Sequence, residues 1–224
     1  MATEFLKSGH IDLITLDNLC PLVFVGEHIP SSEVWHARLE LRRGERYLIE
    51  AASGGGKSSL CSFIYGARRD YQGKLLFNGC DTRTLHVEQW QSVRRNNIAY
   101  LTQDLMLFPE LSAIENINLK NDATGFVSAP QIEEWMDYMG ISMRRDFPAG
   151  KMSVGQQQRV AIIRALCQPF DFILLDEPVS HLDEANNRKA AEMIAATAAQ
   201  RGAAIVSTSV GNPLLLDNAT TIKL

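Results

Sequence analysis

The sequence of 224 residues predicts an α/β fold, a mainly parallel sheet wrapped by helices, with N-terminal antiparallel β strands and a small inserted α-helical lobe. Three observations carry this expectation. Short apolar runs rich in β-branched residues alternate with helix-like stretches, the pattern of strands joined by helical crossovers. A glycine loop, Gly54-Gly55-Gly56, sits between one such run and a helical stretch. Between Ser112 and Lys151 the signal changes to helix.

Taken in order, Ile11 to Leu19 and Leu39 to Leu41 read as strands, Arg43-Gly44-Glu45 as a turn, and Tyr47 to Glu50 as an apolar run that enters the glycine loop. A helix is expected from Lys57. Gly73 to Phe77 alternates and ends in an Asn78-Gly79 turn, and Ile98 to Gln103 reads as a buried strand that ends in polar groups. The helical lobe is clearest at Ile132, Trp135, Met136 and Met139, behind Pro130. Phe170 to Leu175 is continuously apolar and is followed by Asp176-Glu177-Pro178, as in a central parallel strand ending at a polar edge. Leu182 to Gln200 is an alanine-rich helical stretch, and Ala203 to Ser207 a last buried strand.

Composition bounds the function. A hydrophobic fraction of 46% supports a sizeable core. The net charge of −4 and pI near 5.7 lack the electrostatic footprint of a nucleic-acid binder. Cys20, Cys61, Cys80 and Cys167 show no CxxC spacing, so neither a zinc site nor a disulfide framework is expected. No segment reaches the roughly 20 apolar residues of a membrane span, and the start, MATEFLKSGHIDLITL, does not read as a secretory signal.

Ala51-Ala52-Ser53-Gly54-Gly55-Gly56-Lys57-Ser58-Ser59 lies between strand and helix, where backbone N–H groups can wrap an anion. Small residues let the main chain approach phosphates, Lys57 can neutralise β- and γ-phosphates, and Ser58 can ligate magnesium. This predicts a P-loop NTPase core; the alternative, a flexible glycine linker before Lys-Ser, is disfavoured by the flanking strand and helix. Ala51 stands where the usual pattern begins with glycine, a departure that costs about 1 to 2 kcal/mol if the position is left-handed.

Met152-Ser153-Val154-Gly155-Gln156-Gln-Gln-Arg-Val-Ala161-Ile-Ile-Arg-Ala-Leu166 closely resembles the LSGGQ signature and helix of ABC ATPases. It lies between the phosphate loop and Phe170 to Pro178, which looks like a Walker B strand with its glutamate, and Ser180-His-Leu-Asp183 looks like the D-loop. Gln103 falls at the family's Q-loop, so the resemblance covers nearly the whole chain. It implies one ABC ATPase domain over 1–224, with 1–103 and 152–224 as core plus N-terminal β part and about 104–151 as helical subdomain.

Several roles follow from that resemblance. Two cassettes sandwich two ATPs head to tail, either two copies of one chain or two different ones. Ser53, Gly54, Gly55, Gly56, Lys57, Ser58 and Ser59 hold the phosphates; Ser58, Gln103 and Asp176 serve magnesium; Glu177 is the general base. Ser153, Gly155, Gln156 and Asp183 meet the other subunit's nucleotide. Phe24 stacks on adenine, with Trp35 the competing candidate. Ser209 aligns with the family's switch histidine and is shorter and uncharged, so hydrolysis is slowed or relies on a better-equipped partner subunit; the same departure, with Ala51 and Val154, also fits an ATP-gated dimerising module with weak hydrolysis. His181, inside the D-loop, is a weak candidate for compensation, and His28 lies beside the adenine loop. Leu105 to Pro109 supplies either part of a groove for a membrane permease or core of the helical lobe. The small cassettes of lipoprotein-export, macrolide-export and cell-division systems are the most similar, which implies a cytoplasmic chain held at the inner face of the cell membrane by a permease.

Overall fold

A computed structural model describes residues 9–26 and 32–224, so His28 lies outside the described residues. The strands are β1 (Leu13–Pro21), β2 (Arg38–Arg42), β3 (Arg46–Glu50), β4 (Tyr71–Phe77), β5 (Cys80–Asp81), β6 (Ile98–Leu101), β7 (Phe172–Asp176), β8 (Ala204–Ser209) and β9 (Thr220–Lys223). The helices are α1 (Lys57–Ile64), α2 (Val87–Asn96), α3 (Ala113–Thr124), α4 (Ala129–Tyr138), α5 (Val154–Leu166) and α6 (Glu184–Arg201). One sheet has the order β2-β1-β4-β5 and is antiparallel; the other, β6-β7-β8-β3-β9, is parallel throughout.

The unbroken apolar run of β7 is explained by its interior place in the parallel sheet, between β6 and β8, where every residue from Phe172 to Asp176 is buried. Successive side chains face opposite layers. Ile173 and Leu175 join a core with α5, α6 and the buried residues of α3 and α4, whereas Phe172 and Leu174 join a second core with α1, α2 and the antiparallel sheet. The sheet thus separates two apolar cores and brings its strand ends to one edge.

Local chemistry sets the connections. Asn78 and Gly79 both have positive φ, 48° and 80°, as a two-residue hairpin loop requires. At Gly73, with φ 86°, an added Cβ would lie 2.1 Å from the Asn18 carbonyl oxygen, beside the bulge between Asp17 and Cys20; only glycine fits. Ser112 caps α3 in a reciprocal box with Glu115, and Ser128 caps α4 with Pro130 in its first turn.

The predicted strands and helices are present with ends displaced by a few residues. The sequence reading did not anticipate α2, β5 and β9. In α2 only Trp90 and Val93 are buried, and β9 buries Ile222 alone, so neither carries a strong apolar period.

Below β7, Asp171 ties the chain's beginning to the sheet. Its carboxylate, 3% exposed, accepts from Ile11 N at 2.8 Å and Asn97 Nδ2 at 2.7 Å, with His10 Nδ1 at 2.7 Å and Arg43 Nε at 3.3 Å. Replacing Asp171 by Ala strands these donors, an expected loss of about 3 to 5 kcal/mol. A denaturant melt checks this, with Asp171→Asn expected to fall between the two.

Candidate functional site: a phosphate cleft at the sheet edge

The loop between β3 and α1 has left-handed Gly54 (φ 82°) and Gly56 (φ 94°), and Gly56 caps α1. A Cβ on Gly56 would lie 2.9 Å from Trp35 Cζ2 and 3.0 Å from Phe24 Cε2. Ala51 is not among the left-handed residues, so the strain foreseen there does not arise. Its methyl instead fills the space where a Cβ on Gly55 would approach to 2.9 Å. Lys57, 5% exposed, donates through Nζ to Ala51 O at 3.2 Å and Ala52 O at 3.0 Å, and lies 3.9 Å from Glu177 Oε1. The ammonium is held by loop carbonyls at the mouth of the anion cradle.

The carboxylates come from the end of β7. Asp176 is buried, and its Oδ1 accepts from Thr208 Oγ1 at 2.7 Å; among the described residues Oδ2 has no protein hydrogen bond. Glu177 is a non-glycine residue at φ 51°, a conformation that persists only where its surroundings over-determine it. They do so here. Thr208 Oγ1 accepts from Glu177 N at 3.1 Å, and Gln158 Nε2 donates to Glu177 O at 3.2 Å. Gln158, buried on α5, also donates to Ser180 Oγ and accepts from His181 N at 3.0 Å. The helix behind the signature is thereby tied to Glu177 and to the turn after it.

An open cleft of about 450 Å³ is lined by Phe24, Ser53, Gly54, Gly56, Lys57, Ser58, Ser59, Arg68, Gln103 and Glu177 among others. A neighbouring cleft of about 410 Å³ shares Ser58 and Gln103 and adds Asp176, Thr102 and Tyr100. Behind it Cys61 is fully buried; burial first, then the Asp176 charge, holds its thiol well above the ordinary range, so it stays protonated. Trp35, 3% exposed, donates through Nε1 to Gly55 O at 3.1 Å, which makes it the prop beneath the loop and leaves Phe24 as the aromatic on the cleft wall. Gly55 backs the loop without lining either cleft.

Ser209 is not brought to either cleft. It is 2% exposed, and among the described residues its hydroxyl has no hydrogen-bond partner. Ser153, Gly155, Gln156 and Asp183 also lie away from the clefts. Ser153 and Gln156 form the reciprocal cap of α5, and Asp183 caps α6 by accepting from Asn186 N at 2.8 Å. Gly155 has the His181 carbonyl 3.0 Å from where its Cβ would be, so the two turns pack closely. Val154 is 48% exposed and points outward. His181 Nδ1 lies 3.0 Å from Ser180 Oγ.

Thr208, Gln158 and Arg68 were not singled out by the sequence reading. Gln158 sits inside the signature stretch and Thr208 just before Ser209, but both act through partners distant in sequence; Arg68 belongs to no motif.

A glycine loop capping a helix, with a buried lysine, a strand-end Asp-Glu pair and a Gln at the mouth, defines a P-loop nucleotide-binding protein. The ABC transporter family pattern matches residues 35–180, more than half of the chain. The chain belongs to the ABC transporter family and is one of its ATPases. It is 31% identical over 174 residues to the lipoprotein-releasing system ATP-binding protein LolD of Novosphingobium aromaticivorans, covering 76% of this chain and 78% of that one. It is also 31% identical over 159 residues to the macrolide export ATP-binding/permease protein MacB of a Shewanella species, covering 70% of this chain and 25% of that longer protein. The fold superposes on the dimeric structure of MJ0796, a bacterial ABC transporter cassette, with a TM-score of 0.74 at 27% identity, covering 88% and 87% of the two chains. Among the described residues no helix is long and apolar enough to cross a membrane.

Proposed function

We propose that this chain binds and hydrolyses Mg-ATP in a head-to-tail dimer and thereby drives a membrane permease. The observation that carries the reading is the single cleft in which Lys57, Ser58, Gln103 and Glu177 meet. Loop N–H groups and Lys57 bind the phosphates, and Phe24 takes the base at the other end. Ser58, Gln103 and Asp176 offer a hydroxyl, an amide carbonyl and a free carboxylate oxygen, a hard oxygen set suited to Mg²⁺, which when bound shields phosphate charge. Glu177 orients a water and accepts its proton. In the dimer, the α5 end bearing Ser153, Gly155 and Gln156, with the turn ending at Asp183, closes over the nucleotide held by the opposite subunit.

The domain division proposed is a core of 1–103 and 152–224 with a helical subdomain at about 104–151. Ile117, Ile132 and Met136 of that segment share one core with Ala99 and Leu101 of the sheet, which supports a single unit. For the permease, the supporting features are exposed Met106 (61%) and Phe108 (54%) and, separately, a cationic cleft. Arg94, Arg95 and Lys120 line that cleft without a carboxylate. Burial first, then Arg164, pushes the Lys120 ammonium below its ordinary range. A permease docked there would hold the chain at the cytoplasmic face of the membrane.

A second reading, an ATP-gated dimerising module with weak hydrolysis, is favoured by Ser209, whose hydroxyl is covered and short of the cleft. Magnesium-dependent hydrolysis by the purified chain, with sizing in ATP, separates the two. Turnover together with ATP-dependent dimerisation supports the first; dimerisation without turnover supports the second, and no ATP binding refutes both. Ser209→His is expected to raise turnover by about tenfold, since it returns an imidazole to the γ-phosphate side of the site.

A further inference from the structure

Arg68 lies outside every recognised motif, yet it forms part of the wall of the phosphate cleft. It sits in the segment between α1 and β4. Its Nη1 donates to Ser59 Oγ at 3.0 Å, in the first turn of α1. Its Nε donates to Asp70 Oδ1 at 2.9 Å, and Nη2 pairs with the other carboxylate oxygen. The guanidinium carbon stands 5.4 Å from the centroid of the Phe63 ring. A side chain clamped by a carboxylate, an aromatic face and a hydroxyl has given up its rotamer freedom before any ligand arrives.

The clamp leaves Arg68 incompletely satisfied. Of five guanidinium N–H groups, these bonds occupy three, and the remaining two have no protein acceptor among the described residues. Ser59 Oγ accepts from Arg68, so its own hydrogen is free to be donated onward, polarised by the adjacent cation. The position along the cleft is also fixed. Leu22 N donates to the Asp70 carbonyl at 2.9 Å, which ties this segment to the Leu22–Phe24 turn, whereas Lys57 and Glu177, 3.9 Å apart, mark the opposite end. Arg68 therefore stands toward the aromatic end of the phosphate track, away from the reacting end.

We propose that Arg68, with Ser59, is a binding and positioning pair for the sugar-proximal phosphates of the nucleotide, so that ATP and ADP are gripped alike and registered against Glu177; this rests on the nucleotide reading above. Charge-assisted bonds of this kind are directional and weaken with added salt, because the guanidinium is partly exposed.

Calorimetric binding of ATP and of ADP to the wild-type chain, Arg68→Ala, Arg68→Gln and Arg68→Lys tests it. The expected result is a Kd about tenfold weaker for both nucleotides in the Ala and Gln variants, a smaller loss in Lys, and a gap that narrows as salt is raised. Unchanged Kd values in Ala and Gln overturn the inference, as does a loss for ATP that spares ADP, which would put the contact at the terminal phosphate. If Arg68→Ala does not fold, Arg68→Gln, which keeps length and polarity, decides. A wild-type chain that binds neither nucleotide refutes the nucleotide reading itself, a result distinct from failure of the Arg68 assignment.

Discussion

Glu177→Gln is expected to lower ATP turnover by about 10²- to 10⁴-fold while leaving ATP binding intact, and to leave the ATP-bound dimer long-lived. The substitution is close to isosteric and keeps the two backbone bonds that hold residue 177, from its N–H to Thr208 and from Gln158 to its carbonyl. The unusual φ of 51° is therefore retained, and with it the aim of the side chain. What disappears is the ability to accept a proton from water. The 3.9 Å approach to Lys57 loses its charge attraction, which at this distance and at a polar cleft is a small effect beside the loss of the base. Single-turnover hydrolysis and sizing in ATP check the outcome. Turnover equal to wild type would assign the base to another group; lost ATP binding would mean that Glu177 organises the empty cleft instead.

Much of the site is legible in the sequence because its parts are contiguous. Gly54 to Ser59 and Asp176-Glu177 sit at strand ends, where an apolar run stops and polar or glycine residues begin, and the parallel sheet brings such ends to one edge. All of them but Gly55, which backs the loop, line the clefts. Less legible is anything set by pairing across the chain. Trp35 and Phe24 are both aromatics before the loop; only the burial of Trp35 and its bond to Gly55 separate prop from wall. Ala51 looks like a defect when a pattern is read, yet its backbone does not need glycine. Ser153, Gln156 and Asp183 are motif residues whose side chains are engaged as helix caps away from the clefts, so their proposed nucleotide contact needs a second subunit. Arg68 escapes every pattern because its partners, Ser59 and Asp70, lie on either side of α1's end and meet only when the segment folds back.

Thr208 is the residue whose importance the fold adds most clearly, and Thr208→Val is expected to be costly in two measurable ways. The hydroxyl donates to Asp176 Oδ1 at 2.7 Å and accepts from Glu177 N at 3.1 Å, so one oxygen fixes both members of the acidic pair. Valine keeps the branched shape that suits β8 and removes only that oxygen. A buried carboxylate oxygen and a partly buried N–H are then left without partners, at about 1 to 3 kcal/mol each, so a stability loss of about 2 to 6 kcal/mol is expected in a denaturant melt. The catalytic loss should exceed what instability explains. With its N–H released, Glu177 has less reason to remain left-handed, and relaxation toward an ordinary conformation swings its carboxylate away from the cleft. At a temperature where the variant is fully folded, turnover is therefore expected to fall about 10- to 100-fold, with ATP affinity changed far less because Lys57 and the loop are untouched. Thr208→Ser restores the oxygen without the methyl and should recover most of the rate. A Val variant that is destabilised but turns over normally would show that Thr208 serves the sheet alone.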